Sequence, residues 1–275
     1  MSIDFLARMA FSSRQRVAEA RKQHSDLDMW RWAEASPQPP QLVLAPQKFD
    51  VIAEVKLRSP AAGVLSGGVE DIAARVTRYA KAGAAAVSVL TEPEVFEGSL
   101  DHLQQATDAL QNAGGIPAMR KDFLVEPYQV AEARLAGAGG ILIIVRMLTR
   151  PELDALIQAA AHLGLFVLIE AFDEADIQIA KQLIATHQGR VRLLVGINSR
   201  DLVTLKVVPG RLEELIHLLP AGVPRVAESG VDSPEAAARL SRAGYEMALI
   251  GSALMTSEKP AELLGAMIAA GRGAK

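Results

Sequence analysis

The sequence predicts an α/β protein, a (β/α)8 (TIM) barrel with an N-terminal helical extension, and three observations carry that prediction. Eight short apolar runs recur every 24 to 34 residues, the size of a strand-plus-helix unit. Those runs are continuously apolar rather than alternating, as expected of parallel strands covered on both faces. The chain has 275 residues, enough for one barrel of about 250 residues and a short extension. An open doubly wound sheet is the competing architecture. It asks for a Gly-x-Gly-x-x-Gly turn after the first strand, whereas this strand runs into Glu54-Val55-Lys56-Leu57-Arg58-Ser59-Pro60.

Taken in order, residues 1–45 read as the extension and 46–275 as the barrel, packed together as one structural domain. Ser12-Ser13-Arg14-Gln15 has the Ser-x-x-Gln spacing of a capping box and predicts a helix start. Trp30 and Trp32 follow, expected to pack the extension onto the barrel, and then the breaker Pro37-Gln38-Pro39-Pro40. The predicted strands are 51–55 (VIAEV), 85–90 (AAVSVL), 116–119 (IPAM), 141–145 (ILIIV), 165–170 (LFVLIE), 193–197 (LLVGI), 223–227 (VPRVA) and 247–251 (MALIG). Gly83, Gly137, Gly164 and Gly244 each stand between a helical stretch and the next strand, where a left-handed C-cap is expected.

Composition removes several function classes. Hydrophobic residues make up 50% and charged residues 22% of the chain, which assures a core and excludes intrinsic disorder. A net charge of −3 supplies no field for nucleic acid or an anionic membrane, so neither is an expected partner. The absence of cysteine excludes disulfides, thiolate nucleophiles and zinc ribbons. Asp4 and Arg8 interrupt the only early apolar stretch, so no signal peptide is expected. No apolar run reaches the roughly 20 residues of a membrane span, and a cytoplasmic protein is the expectation. Oligomeric state is not legible, with a monomer slightly favoured; an exposed Trp30 or Trp32 would mark a contact, but packing on the barrel is the preferred reading of both. His24, His102, His162, His187 and His217 all avoid strand ends and read as surface or cap residues. That placement argues against a histidine-ligated metal centre.

In a barrel, reactive groups belong at the C-terminal ends of the strands. Glu54 and Lys56 sit there on one face of the first strand, two residues apart. Arg120, Lys121 and Asp122 end the third, Arg146 the fourth and Glu170 the fifth. Asn198 and Arg200 follow the sixth, Glu228, Ser229 and Gly230 the seventh, and Gly251 and Ser252 the eighth. Unpaired charge in a dry interior costs several kcal/mol, so this convergence points to chemistry. A shielded lysine beside carboxylates can act as a general acid, and a carboxylate in apolar surroundings can shuttle protons. Lys121 is also a candidate Schiff-base nucleophile if desolvated. The small residues after strands seven and eight suit a phosphate site built from backbone N–H groups.

The segments IAEVKLRSPAAG (52–63), VLTEPEVFEGS (89–99), RKDFLVEPYQVAEARLAGAGGILIIV (120–145), VGINSRDLVTL (195–205) and VAESGV (226–231) closely resemble the indole-3-glycerol phosphate synthase family. The resemblance implies a tryptophan-pathway lyase that converts 1-(2-carboxyphenylamino)-1-deoxyribulose 5-phosphate to indole-3-glycerol phosphate without cofactor or metal. By motif, Lys121 resembles the acid that protonates the substrate carbonyl, and Glu170 the carboxylate of the dehydration. Lys56 resembles the residue that engages the substrate carboxylate, and Glu54, Asn198 and Glu228 the polar groups around the sugar chain. Ser59, Ser229, Gly230, Gly251 and Ser252 resemble phosphate and loop positions, with Arg200 among the binding residues. Phe96 and Phe123 are implied as the apolar wall for the aromatic ring.

The chain departs from the resembled pattern at Leu57, Ala61 and Ala62 in the first loop, at Arg146, and at Ala171-Phe172. Those departures motivate a second expectation, a paralogue acting on a modified anthranilate-derived substrate. A non-catalytic sugar-phosphate-binding barrel is the third; it has little use for Glu54, Lys56, Lys121, Glu170, Asn198 and Glu228 together.

Overall fold

The structure, a computed structural model, describes residues 5–46, 49–59, 63–64 and 71–274. Ala61 and Ala62 lie outside the described residues, and of Ser59 only the backbone is described. Eight parallel strands form a closed barrel: β1 (Asp50–Val55), β2 (Ala86–Leu90), β3 (Ala118–Lys121), β4 (Gly140–Ile144), β5 (Phe166–Ala171), β6 (Leu193–Asn198), β7 (Arg225–Glu228) and β8 (Met247–Ile250). Each pairs with its neighbours in sequence, and β1 closes the ring on β8. Strands β3 and β7 begin two residues later than their apolar runs, in both cases just after a proline. Pro117 and Pro224 have no N–H to give a ladder, but their carbonyls accept from Val87 and Val195 at 3.0 Å. A short antiparallel hairpin, Arg58–Ser59 with Gly63–Val64, follows β1 and was not foreseen.

Helices alternate with the strands: α3 (Ile72–Lys81), α4 (Leu100–Gln111), α5 (Pro127–Leu135), α6 (Arg150–Leu163), α7 (Glu174–His187), α8 (Arg211–Leu215), α9 (Pro234–Ala243), α10 (Ser252–Thr256) and α11 (Pro260–Gly273), with α1 (Phe5–Gln23) and α2 (Asp26–Ala35) preceding the barrel. The four expected glycines all take positive φ, from 74° at Gly164 to 115° at Gly244.

Strand alternation splits the apolar residues into two bodies. Val51, Ala53, Val87, Ile141, Ile143, Val167 and Val195 pack outward under the helices. Ile52, Met119, Leu142, Leu168, Leu194, Val226 and Met247 fill the barrel interior. Both sets are buried, which is why the runs read as continuous rather than alternating.

The expected helix start at Ser12 is wrong. α1 begins by Phe5 and carries Ser12 and Ser13 in its middle, both buried. Their hydroxyls serve tertiary contacts instead of a cap: Ser12 Oγ donates to Glu94 at 2.7 Å, and Ser13 Oγ accepts from Gln129 Nε2 at 2.9 Å. Trp30 packs on the core and meets His162 edge to face at 5.8 Å.

Much of the docking comes from the segment YQVAEAR. Tyr128 donates its hydroxyl to the His24 carbonyl at 3.1 Å, and Arg134, fully buried, donates to Ser36 Oγ at 2.8 Å and Ser36 O at 2.9 Å. Beneath α1 lies an ionic knot. Arg16 grips Asp122 with two nitrogens, at 2.7 and 2.9 Å. Asp122 also accepts from Thr91 at 2.8 Å and Arg120 at 3.2 Å, and Arg120 reaches Glu132 at 3.0 Å.

Burial alone would push the Asp122 carboxyl up, but Arg16 and Arg120 hold it down at about 2. A carboxyl lowered this way lends its full stability above its unfolded value of 3.8 and loses it as pH falls toward about 2. Asp122→Asn is expected to cost about 3 kcal/mol at pH 7, because two arginines lose a buried partner. In denaturant titrations the gap between wild type and variant should narrow as pH drops from about 4 to about 2. A gap independent of pH across that window would refute the assignment.

Candidate active site

The interior parity of five strands ends in polar groups. Ile52 is followed two residues on by Glu54, Met119 by Lys121, Leu168 by Glu170, and Val226 by Glu228, while Leu194 leads through Gly196 to Asn198. Alternation therefore drives all five into one space at the C-terminal rim. They line a cavity of about 280 Å3 together with Lys56, Arg200, Ser229, Gly230, Gly251 and Ser252. Phe5, Phe96, Phe123 and Phe172 line it as well.

The charges in this space are unevenly matched. Lys56 Nζ pairs with Glu54 Oε1 at 2.6 Å. Burial would push the Glu54 carboxyl up, but Lys56, Lys121 and Arg200 pull it below the usual range and keep it ionised. Burial would likewise draw the Lys121 ammonium down; Glu170, Glu54 and Glu228 outweigh that and raise it. Lys121 is thus held as a proton donor. Glu170 accepts from Asn198 Nδ2 at 2.6 Å, and Asn198 Oδ1 in turn accepts from the Arg200 N–H at 2.9 Å, which fixes the amide's orientation.

Glu228 is different. Both of its carboxyl oxygens are buried without a hydrogen-bond partner among the described residues. Burial first, and the nearby Glu170 second, push its carboxyl well above the ordinary value.

Two glycines make room for these carboxylates. A Cβ on Gly196 would come within 2.0 Å of Glu228 Oε1, and one on Gly251 within 2.2 Å of Glu54 Oε1 and 2.9 Å of Lys56 Nζ. Gly251, read from sequence as a phosphate position, thus also has this spacing role. The loop after β7 turns through two left-handed residues, Ser229 at φ 66° and Gly230 at 73°. Ser199 Oγ donates to the Ser229 carbonyl at 3.0 Å and lies 3.2 Å from that of Glu228, occupying the loop's acceptors.

A family model described as indole-3-glycerol phosphate synthase matches residues 6–266 of the chain. The chain belongs to the indole-3-glycerol phosphate synthase family. An indole-3-glycerol phosphate synthase from Parafrankia sp. is 42% identical over 83% of this chain and 81% of its own length. Another from Opitutus terrae is 36% identical over 95% of this chain and 97% of its own. Among solved structures, a thiamine phosphate pyrophosphorylase from Pyrococcus furiosus aligns with a TM-score of 0.57 at 13% identity, covering 83% of this chain and 96% of that one; this likeness concerns the fold alone.

Three strand-end charges stay out of the synthase cavity. Arg120 and Asp122 flank Lys121 with the opposite parity and enter the ionic knot beneath α1. Arg146 turns to Asp176, at 2.7 Å, and to Asp173. His187, expected as a surface or cap residue, is the last residue of α7 but is not at the surface. It is buried in the seam between α6 and α7 and bonded to Asp154 at 2.7 Å.

Sequence reasoning missed Phe5, Phe172, Gly196 and Ser199. Phe172 continues the parity of Leu168 and Glu170, so its signal was present. Gly196 stands between Leu194 and Asn198 on an inward position and was equally findable. Phe5 arrives from α1, meeting Phe123 edge to face at 5.8 Å, and no strand pattern announces it. Among the described residues, no group of three or more His, Cys, Asp or Glu is arranged to hold a metal ion, and no helix is long and apolar enough to cross a membrane.

Gly196→Ala and Gly251→Ala are each expected to cut kcat/KM at least about tenfold by displacing Glu228 or the Glu54–Lys56 pair, about 1.4 kcal/mol of transition-state stabilisation. Far-ultraviolet circular dichroism should retain the barrel's signature. Unaltered kinetics in both would show that the cavity tolerates the added methyl groups.

Proposed function

We propose that this chain catalyses the ring closure, decarboxylation and dehydration of 1-(2-carboxyphenylamino)-1-deoxyribulose 5-phosphate to indole-3-glycerol phosphate in the cytoplasm. In this reading residues 1–45 are an extension to the catalytic barrel of 46–275. The observation that carries it is a lysine held protonated among carboxylates, in a family whose synthases act on a small phosphorylated substrate.

Lys121 acts first. The substrate carbonyl becomes an alkoxide as the aryl carbon attacks it, and the Lys121 ammonium delivers the proton. Glu170 and Glu54 flank Lys121 electrostatically and favour its charged form before transfer. Lys56, with its amine beside Glu54, receives the aryl carboxylate that leaves as carbon dioxide. Departure of the hydroxyl needs a second proton transfer, with removal of a ring proton. Glu170, positioned by Asn198, takes that part. Four phenylalanines supply apolar walls for the aryl ring. Ser229, Gly230, Gly251 and Ser252 form the far rim, where small residues let backbone N–H groups approach a phosphate closely. Arg200, beside them, supplies positive charge.

The test is steady-state turnover of this substrate, followed by indole fluorescence. Lys121→Ala and Glu170→Gln are each expected to lower kcat by at least about a hundredfold while the fold survives, in line with general acid–base contributions. Wild-type rates in either variant would remove that residue from the mechanism, and an inactive wild type would remove the reading.

A further inference from the structure

Arg146 and Phe172 form one unit beside Glu170. Phe172 follows the end of β5 by one residue, lines the cavity, and belongs to the same apolar cluster as Phe123 and Ile144. It is 3% exposed. The Arg146 guanidinium stands 4.8 Å from the centroid of the Phe172 ring. That guanidinium also donates through Nε to Asp176 Oδ2 at 2.7 Å and pairs with Asp173. Asp176 Oδ2 in turn accepts the Phe172 backbone N–H at 2.9 Å.

Arg146 therefore bridges the turn after β4 and the first turn of α7, and grips Phe172 from two directions. Its cation attracts the ring, and its carboxylate partner holds the ring's backbone. A wall that only excluded water would need neither. Phe172 has no proton to give in the chemistry, and Arg146 does not line the cavity, so neither belongs to the acid–base set. What the arrangement fixes is the position of one aromatic surface facing the substrate, immediately after the residue assigned to proton transfer.

We propose that Phe172 is a specificity-determining wall for the aryl ring of the substrate, and that Arg146 is the positioning residue that holds it. The pair sets how large a ring substituent the site admits on the Glu170 side. This rests on the synthase reading of the same cavity.

The experiment compares kcat and KM for the unsubstituted substrate and for analogues carrying methyl or chlorine on the aryl ring. Wild type, Phe172→Ala, Phe172→Leu, Arg146→Met and Arg146→Lys are measured side by side. Wild type should favour the unsubstituted substrate. Phe172→Ala should raise its KM about tenfold with a smaller change in kcat, and shift the kcat/KM ratio about tenfold toward at least one substituted analogue. Phe172→Leu gives the same direction should the alanine variant fail to fold. Arg146→Met should move KM and the ratio the same way by about threefold. Arg146→Lys should recover only part of that, since lysine lacks the planar fork.

An active wild type with unchanged ratios in the Phe172 variants would overturn the wall. Arg146→Met with a lowered melting temperature, but wild-type KM and ratio, would overturn the positioning role. A wild type inactive on every compound would overturn the reading of the site, and this proposal with it.

Discussion

Charge balance inside an apolar cylinder is the constraint on which the rest of the site depends. Removing an ion from water costs several kcal/mol even after relaxation. Here three carboxylates, Glu54, Glu170 and Glu228, share one cavity with two lysines, Lys56 and Lys121. Glu170 and Glu228 lie close enough to repel, so the cost falls on a like-charged pair. The structure meets this at Glu228, whose oxygens have no hydrogen-bond partner among the described residues and whose carboxyl is pushed up by burial and by Glu170. Lys56, Lys121 and Arg200 supply the opposing charge, and they draw the Glu54 carboxyl below its usual range. The asymmetry has a chemical consequence. Glu54 is drawn down and Glu228 pushed up, so two carboxyls of one cavity differ in their readiness to carry a proton.

The barrel and its polar rim were legible because period and parity are local properties of sequence. Each inward strand residue is fixed by the one two positions before it, so Ile52 predicts where Glu54 faces and Met119 where Lys121 faces. The same rule separates Lys121 from Arg120 and Asp122, a distinction that a list of strand-end charges does not make. Other features depend on contacts that no short window contains. Ser12 and Ser13 have the spacing of a cap, yet their hydroxyls bond to Glu94 and Gln129, more than eighty residues away. His187 looks like an ordinary helix-end residue until α6 brings Asp154 against it. The place of Phe5 follows from how α1 crosses the barrel, which is a tertiary fact.

The extension is more than a cover. Arg16 binds Asp122, and Asp122 is the residue after Lys121. The Asp122 carboxylate also accepts the Phe123 N–H at 2.8 Å, so one buried anion ties α1, β3 and an aromatic wall residue together. On the neighbouring loop, Glu92 accepts the N–H groups of Glu94, Val95 and Phe96 at 2.8 to 3.0 Å. Ser12 then ties that loop to α1 through Glu94. Two of the four phenylalanines are thus held in loops pinned by buried carboxylates, Asp122 bonded directly to α1 and the Glu92 loop tied to it through Glu94.

The groups proposed for proton transfer and those proposed to bind the ring therefore stand on different kinds of support. Glu54, Lys121, Glu170, Asn198 and Glu228 lie on strands, where hydrogen-bond register between neighbours sets their height and alternation sets their direction. Moving the backbone of any one of them requires moving a strand of the closed barrel. Phe96, Phe123 and Phe172 lie in the loops beyond, each with its backbone N–H held by a buried carboxylate. Phe5 lies on a helix outside the barrel altogether. A cavity built this way keeps its acid–base geometry rigid while leaving the shape of its apolar wall open to substitution. On the proposed assignment, substrate preference changes at Arg146 and Phe172 while the Lys121 and Glu170 backbones stay where the strands put them.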